Sequence, residues 1–195
     1  SVAFEKAGIF RAGKPVVCGD IDPPSVLLDR ATELGAPFYL RGRDFDLAAS
    51  ESGWHWRGVD KAGNGRELHN LRLLDLPLEN AALALQAFSL LDLDWQPSRL
   101  SSALENTYLS GRLERRVLEY RGKTLTLLLD VGHNPHAAEF LANRFRANPI
   151  AGRRLAVFGL LADKDLLGVI NAMHGEFAHW AVVDLPSVRS RPAAE

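Results

Sequence analysis

A polar cluster at residues 130–136 has residue types that could do chemistry. It follows the nearly continuously apolar segment 124–130, which predicts a strand, and its Asn134 stands before a proline, which predicts a helix start. Ligands bind at the carboxyl ends of strands in open α/β sheets, and the free N–H groups of a helix start favour phosphate. Asp130 could therefore hold a ribose or a metal-bound water, and His133 could contact a phosphate. The alternative is that Asp130 and Asn134 only cap the helix and that the histidines are surface residues.

Four further polar residues stand beside predicted element boundaries. Arg112 follows a glycine at a domain junction, from where a guanidinium can donate two parallel hydrogen bonds to a phosphate; an ordinary surface arginine is the alternative. Asn80 stands at a helix start, where it could bind an adenine edge or serve the helix end. Lys6 lies in segment 5–11, which by itself is typical of a solvated turn. Asp165 is predicted to cap the helix that follows it.

Other side chains could bind a metal or a flat ligand, each with a plainer alternative. His133 and His136 are three residues apart and could share a metal, but no third ligand stands near them. Cys18 is the single cysteine, which excludes an internal disulfide and a cysteine-based zinc cluster. We expect Cys18 in a buried strand. Trp54 and Trp56 share a strand face and could stack on a flat ligand, although packing onto the adjacent domain is the more common role.

Hydrophobic periodicity predicts the elements that must position these residues. Residues 1–109 are expected to hold a βαβ unit, an antiparallel hairpin and two helices, the first of which is buried on most sides. Their segments are 15–19, 24–35, 38–40, 42–70, the stretch opened by Pro77, and 97–107. From about residue 110, strands alternate with helices, which favours a mostly parallel sheet with right-handed crossovers. Those strands are 124–130, expected to be covered on both faces, 154–161 and 180–185, with helices from Asn134 and over 165–174.

Composition excludes several classes of protein. The 195 residues carry 23 Lys and Arg against 24 Asp and Glu, a formal net charge of −1, so no basic surface for nucleic acid is expected. No apolar run approaches the ~18 residues of a membrane span. Residues 1–10 do not form a signal peptide, and we expect a cytoplasmic protein. Both ends interrupt the α/β pattern, so we expect the chain to be part of a larger polypeptide.

Five segments, in this order and spacing, resemble the bifunctional dihydrofolate synthase/folylpolyglutamate synthase family of the Mur ligase superfamily. They are Glu-Lys-Ala-Gly-Ile-Phe-Arg at 5–11, Leu-Pro-Leu-Glu-Asn-Ala-Ala at 76–82, Gly-Arg-Leu-Glu at 111–114, Asp-Val-Gly-His-Asn-Pro-His at 130–136 and Ala-Asp-Lys-Asp at 162–165. The resemblance implies an ATP- and Mg²⁺-dependent amide ligase. It would add L-glutamate to dihydropteroate or to a reduced folate through an acyl phosphate. It also implies a monomer, while the charge balance and the lack of a long apolar run give no expectation of binding to nucleic acid or membrane.

The resemblance also implies roles for single residues. Lys6 matches a lysine that is carbamylated and helps to hold Mg²⁺; carbamylation turns its cation into an oxygen anion that this ion accepts. Asn80 matches an asparagine near the nucleotide. Arg112 matches the arginine that reaches the ATP phosphates. Asp130 and His133 match residues that meet the nucleotide, and the histidine also meets the incoming glutamate or the acyl phosphate.

The resemblance further implies that residues 1–109 are the C-terminal part of an ATP-binding domain. Residues 110–195 would then be the first part of a Rossmann-like glutamate-ligase domain. The family's phosphate loop, Gly-x-x-Gly-Lys-Ser/Thr, is absent from the sequence, so we expect this polypeptide alone to be inactive. The roles of residues 163–165 stay open. Two alternatives also stay open: another amino-acid ligase of the superfamily, or a non-catalytic α/β nucleotide-binding module.

Overall fold

The computed structural model describes residues 2–91 and 93–194. The chain divides into two compact units, one that ends at Tyr108 and one that begins at Leu109. Each unit has its own helices, strands and apolar core, so each is described by itself. No helix within the described residues is long and apolar enough to cross a membrane.

The N-terminal unit combines a βαβ element with an antiparallel sheet and two further helices. Its elements are α1 (Val2–Ala7), β1 (Val16–Cys18), α2 (Ser25–Glu33), β2 (Phe38–Leu40), β3 (Asp46–Ser50), β4 (Gly53–Val59), β5 (Gly65–Leu71), α3 (Leu78–Ser89) and α4 (Pro97–Glu105). Strands β1 and β2 pair in parallel, which confirms the predicted βαβ unit. Gly35, at φ +56°, follows α2 in the left-handed conformation that favours glycine. Cys18 is only half-buried, so the expected burial is not reached.

The larger core of this unit lies between the antiparallel sheet and α3, and a smaller one lies in the βαβ element. Strand β4 pairs with β3 on one side and with β5 on the other, and its Trp54 and Trp56 are buried among residues of this unit. The indole Nε1 of Trp54 donates to the carbonyl of Arg72 at 2.9 Å, and that of Trp56 donates to the carbonyl of Ala82 at 3.1 Å. A ligand-stacking role for these two rings is therefore wrong, because both rings are buried and both Nε1–H groups are bonded inside the unit.

The C-terminal unit is a mixed α/β fold. Its elements are β6 (Glu114–Tyr120), β7 (Lys123–Leu129), α5 (Pro135–Ala147), β8 (Leu155–Phe158), α6 (Leu166–Ala172) and β9 (His179–Val182). Strands β8 and β9 are parallel, as predicted, but β7 pairs antiparallel with β6. All seven residues of β7 are exposed, so the expectation that this strand is covered on both faces is wrong for the described chain. Its run of leucines predicted the strand correctly but did not reveal its partner.

Helices α5 and α6 pack together to form the core of the C-terminal unit. Ala138, Leu141 and Ala142 of α5 are buried against Val169 and Met173. The spacing of the three α5 residues places them on one face of the helix. The side chain of Asn134 accepts a hydrogen bond from the amide of Ala137, and Pro135 is the first helical residue, as the sequence predicted.

Candidate functional site

The first residues of the C-terminal unit form a turn that carries Arg112. Gly111 has φ +69° and Leu113 has φ +46°, so Arg112 stands between two left-handed residues. Its backbone N–H donates to the carbonyl of Leu109 at 3.1 Å. Its side chain is exposed, and no hydrogen bond or ion pair of that side chain is found within the described chain. The guanidinium is thus presented to solvent from a closely defined backbone.

Glu114 binds the part of this turn that precedes Arg112. It is only 3% exposed, and its Oε2 accepts from the hydroxyl of Ser110 at 2.9 Å and from the amide of Gly111 at 2.8 Å. Its other oxygen, Oε1, accepts from Nε of Arg116 at 2.5 Å. A buried carboxylate is costly unless charges and donors surround it, and these three donors meet that need.

Asp130 binds the part of the same turn that follows Arg112. Its Oδ2 accepts from the amide of Leu113 at 2.9 Å, and its Oδ1 accepts from the amide of Gly132 at 2.6 Å. The amide of Val131 also donates to the carbonyl of Gly111 at 2.8 Å. A side chain at Gly132 would crowd Oδ1 of Asp130 and the methyl group of Ala137. The end of β7, the turn and the loop before α5 are therefore connected by one carboxylate.

His133 lies exposed in the loop that enters α5. Its Nδ1 lies 3.0 Å from the carbonyl oxygen of Val131. Because that oxygen can only accept, Nδ1 carries the proton, and Nε2 is the nitrogen that can accept one. The 13-residue α5 begins directly after this loop, with the positive end of its dipole. The N–H groups of Ala137 and Ala138 already donate to Asn134, and Pro135 has none. The structure thus brings Arg112, Asp130 and His133 into one connected segment.

The start of α6 lies beside the start of α5. A side chain at Gly168 would overlap both the ring of Pro135 and the carboxylate of Asp165. Asp165 caps α6 by accepting from the amide of Gly168 at 2.9 Å, which confirms its predicted capping role. Just before it, Asp163 accepts from Nη2 of Arg189 at 2.7 Å.

Asp163 is held ionised by two cations. The hydrogen bond from Arg189, and next the contact with Lys164 at 3.0 Å, lower the pKa of Asp163 to about 2. The Asp163 carboxylate therefore joins the loop after β8 to the C-terminal segment that carries Arg189. This gives a structural function to two of the residues whose roles the sequence left open.

The other two predicted site residues lie in the N-terminal unit. Lys6 is exposed on the short helix α1. Asn80 is exposed in the first turn of α3, where its backbone N–H donates to the carbonyl of Pro77 at 3.1 Å. No hydrogen bond joins Lys6 to Asn80 within the described residues. The described residues also contain no group of three or more His, Cys, Asp or Glu side chains that could hold a metal, so His133 and His136 have no third ligand of these types there.

Sequence reasoning missed Glu114 as a part of the site. It was visible only as the last residue of the Gly-Arg-Leu-Glu segment, where it reads as a strand residue with an exposed charge. The signal that could have found it is local: a serine and a glycine three to four residues earlier supply donors for a carboxylate that turns back on them.

Comparison with known proteins gives this arrangement a family context. Residues 111–195 match the family model of the Mur ligase glutamate ligase domain. The dihydrofolate synthase/folylpolyglutamate synthase of Haemophilus influenzae is 34% identical over 208 aligned positions, which cover 100% of this chain and 46% of that protein.

Two solved structures have the same fold. Escherichia coli FolC in complex with DHPP and ADP has a TM-score of 0.81 at 33% identity, covering 99% of this chain and 44% of that one. The bifunctional folylpolyglutamate synthase/dihydrofolate synthase from Yersinia pestis, complexed with AMPPNP and Mn ion, has a TM-score of 0.79 at 36% identity, with coverage of 99% and 44%.

The C-terminal unit therefore matches the Mur ligase glutamate ligase domain, and the chain has a Mur-ligase-type α/β fold. Along its full length it is similar to the dihydrofolate synthase/folylpolyglutamate synthases. The chain spans less than half the length of the relatives that it matches.

Proposed function

We propose that the protein containing this chain is an ATP-dependent ligase that joins the amino group of L-glutamate to the carboxylate of dihydropteroate or of a reduced folate. The observation that carries this proposal is the connected segment of Arg112, Asp130 and His133 at the start of α5, inside a glutamate ligase domain. The nucleotide complexes of the two structural relatives support the choice of ATP.

The residues of this segment fit a nucleotide. Arg112 offers an exposed guanidinium, and the start of α5 offers the positive end of a helix dipole, both suited to phosphate. When bound, ATP supplies the phosphoryl group that activates the acceptor carboxylate as an acyl phosphate, which the amine of glutamate attacks with release of phosphate. Arg112 would balance the charge on the phosphate oxygens during both steps.

His133 and Asp130 would act beside Arg112. With its Nδ1 proton held by the Val131 carbonyl, His133 presents Nε2, which can accept a proton from the ammonium group of glutamate and leave the free amine to attack. Once protonated, Nε2 can donate a hydrogen bond to a phosphate oxygen. Asp130 orients both neighbours through the amides of Leu113 and Gly132. A ribose hydroxyl could add to this arrangement, since each carboxylate oxygen accepts more than one hydrogen bond.

Lys6 and Asn80 belong to the proposal in a different way. Lys6 as an ammonium group cannot bind Mg²⁺, whereas as a carbamate it would offer oxygen ligands. The described residues provide no group of three or more His, Cys, Asp or Glu side chains for a metal, so Lys6 is the one residue proposed here to hold Mg²⁺. Asn80, exposed at the start of α3, would contact the nucleotide base.

We also infer that a polypeptide of these 195 residues alone does not catalyse the reaction. The sequence contains no Gly-x-x-Gly-Lys-Ser/Thr. Its Gly122-Lys123-Thr124 matches only the end of that motif, and it lies at the turn between β6 and β7 instead of at a helix start. Without such a loop the phosphates lack the positioning on which phosphoryl transfer depends.

A substrate assay tests the proposed function. A purified protein that contains this chain would be incubated with ATP, labelled L-glutamate and either dihydropteroate, a tetrahydrofolate or a UDP-muramoyl acceptor. We expect label to enter the pteridine acceptors only when ATP is present. Incorporation into the UDP-muramoyl acceptor alone would assign the protein to another Mur ligase activity, and nucleotide binding without any incorporation would favour a non-catalytic module.

A further inference from the structure

Among the described residues, Glu114 is the one charged residue in the buried class. We propose that Glu114 is a positioning residue that sets the direction of Arg112; this inference rests on the proposed function. Its carboxylate has no contact with substrate in this proposal. It acts through the turn that presents the arginine.

The geometry of the turn carries the proposal. The amide just before Arg112, that of Gly111, is held by Glu114 at 2.8 Å, and the amide just after it, that of Leu113, is held by Asp130 at 2.9 Å. Gly111 and Leu113 both adopt left-handed backbone conformations, and for the leucine this conformation is unfavourable in isolation. Two carboxylates therefore fix the backbone on either side of Arg112.

Three hydrogen bonds of Glu114 are local. They run to the hydroxyl of Ser110, the amide of Gly111 and the guanidinium of Arg116, all within four residues. The β6–β7 hairpin has its own ladder of seven residue pairs, and the core of the unit is formed by α5 and α6. Loss of the carboxylate should therefore release the turn while leaving the fold in place.

Gly111 adds a second restriction to the same turn. Its φ of +69° favours glycine, and a Cβ there would meet the Cγ1 atom of Val131 at 2.9 Å. The turn is thus pressed against the residue that follows Asp130, and Glu114 supplies the bond that keeps it there. With this bond removed, Arg112 would sample directions other than the one that the ligase needs.

The experiment compares Glu114→Ala and Glu114→Gln with Glu119→Gln, an exposed carboxylate on the same strand. Each variant is made in a protein that contains this chain and forms the glutamate amide. We expect Glu114→Ala to lower kcat by about 10- to 100-fold, as a displacement of about 1 Å in a catalytic group can do. Glu114→Gln, which keeps one accepting oxygen, should lose less, and Glu119→Gln should stay within about 2-fold of the parent.

A double substitution shows whether the effect passes through Arg112. In the Arg112→Ala background, adding Glu114→Ala should change kcat by less than about 2-fold, because the group that it positions is already gone. An unchanged kcat in the single variant, or the same fold-loss in both backgrounds, would overturn the proposal. A general loss of folding would lower the active fraction and the melting temperature together, so both are measured for each variant.

A readout that does not depend on activity separates this inference from the proposed function. Amide hydrogen exchange is measured at Gly111 and Leu113. In Glu114→Ala, exchange at Gly111 should accelerate at least 10-fold, while the β8 and β9 amides should stay unchanged. If the parent protein forms no glutamate amide, the proposed function fails, whereas unchanged exchange at Gly111 in the variant would refute the hold of Glu114 on the turn.

Discussion

The carboxylate of Asp130 accepts a hydrogen bond at 2.9 Å from the backbone amide of Leu113, 17 residues earlier in the chain. This bond joins the end of β7 to the turn that carries Arg112. The second oxygen of the same carboxylate holds Gly132, next to His133. The Asp130 side chain therefore fixes the residue next to Arg112 and the residue next to His133. Its removal should lower both the stability and the activity of the protein.

Asp130→Asn should lower the free energy of unfolding of the C-terminal unit by about 1–2 kcal/mol. The amide keeps one accepting oxygen, so one of the two backbone N–H groups loses its acceptor and meets an NH₂ group instead. Urea denaturation measures the change, with the exposed Glu139→Gln on α5 as a control for loss of one charge. Equal unfolding midpoints for Asp130→Asn and the parent would show that these bonds do not stabilise the loop.

Replacement of Arg189 by alanine should raise the pKa of Asp163 from about 2 towards its ordinary value, since the Arg189 hydrogen bond is the main cause of the lowering. The folded pKa lies below the unfolded one, so the stability contributed by this ion pair is fully present above about pH 4 and is lost as pH falls through about 2. Carboxyl-carbon NMR titration of Asp163 measures the midpoint.

The matched control is Arg153→Ala, an exposed arginine in the same unit. It should leave the Asp163 midpoint where it is. If the midpoint stays near 2 in Arg189→Ala, the cause of the shift would have to be the Lys164 contact instead.

Trp56→Phe should destabilise the N-terminal unit by about 1–3 kcal/mol. The variant loses the hydrogen bond from Nε1 to the Ala82 carbonyl and leaves a gap in a fully buried position. Chemical denaturation followed by circular dichroism measures the loss. Trp180→Phe, at a half-buried position of the other unit, should cost less, and a larger cost there would contradict the ranking by burial.

Lys6 should take up carbon dioxide if it is the proposed carbamate. Equilibration with ¹³C-bicarbonate should then give a carbamate carbon signal that disappears in Lys6→Ala. Lys14→Ala, which removes another exposed lysine of the same unit, should leave the signal unchanged. A spectrum without the signal in the parent protein, or with it in Lys6→Ala, would remove Lys6 from the proposed metal site.

The fold was predictable where local signals decide the structure. The βαβ unit, the cap at Asn134 with Pro135 after it, and the cap at Asp165 follow from apolar spacing and from side chains that bind nearby amides. The partner and burial of β7 were not predictable in this way. Its continuous leucines are typical of a strand, but the choice of an antiparallel neighbour depends on the hairpin turn at residues 121 and 122, whose two positive φ values were not anticipated.

The candidate site shows the same division. Arg112, Asp130 and His133 could be singled out because each stands beside a glycine or an element boundary in the sequence. The hydrogen bond from Gly111 to Glu114 could not be predicted, because it depends on a carboxylate that turns back towards the preceding residues and becomes buried. For Trp54 and Trp56 packing was the preferred interpretation, and both rings are indeed buried, but strand alternation gives a shared face and not the residues that cover it.

The most direct test of the account is ATP-dependent transfer of labelled glutamate to a pteridine acceptor by a protein that contains this chain, compared between Arg112→Ala and Arg115→Ala. Both changes remove one exposed arginine within four residues of each other. The account predicts that Arg112→Ala lowers kcat by two or more orders of magnitude and that Arg115→Ala stays within about 3-fold of the parent. Near-normal kcat in Arg112→Ala, or an equal loss in both variants, would contradict it.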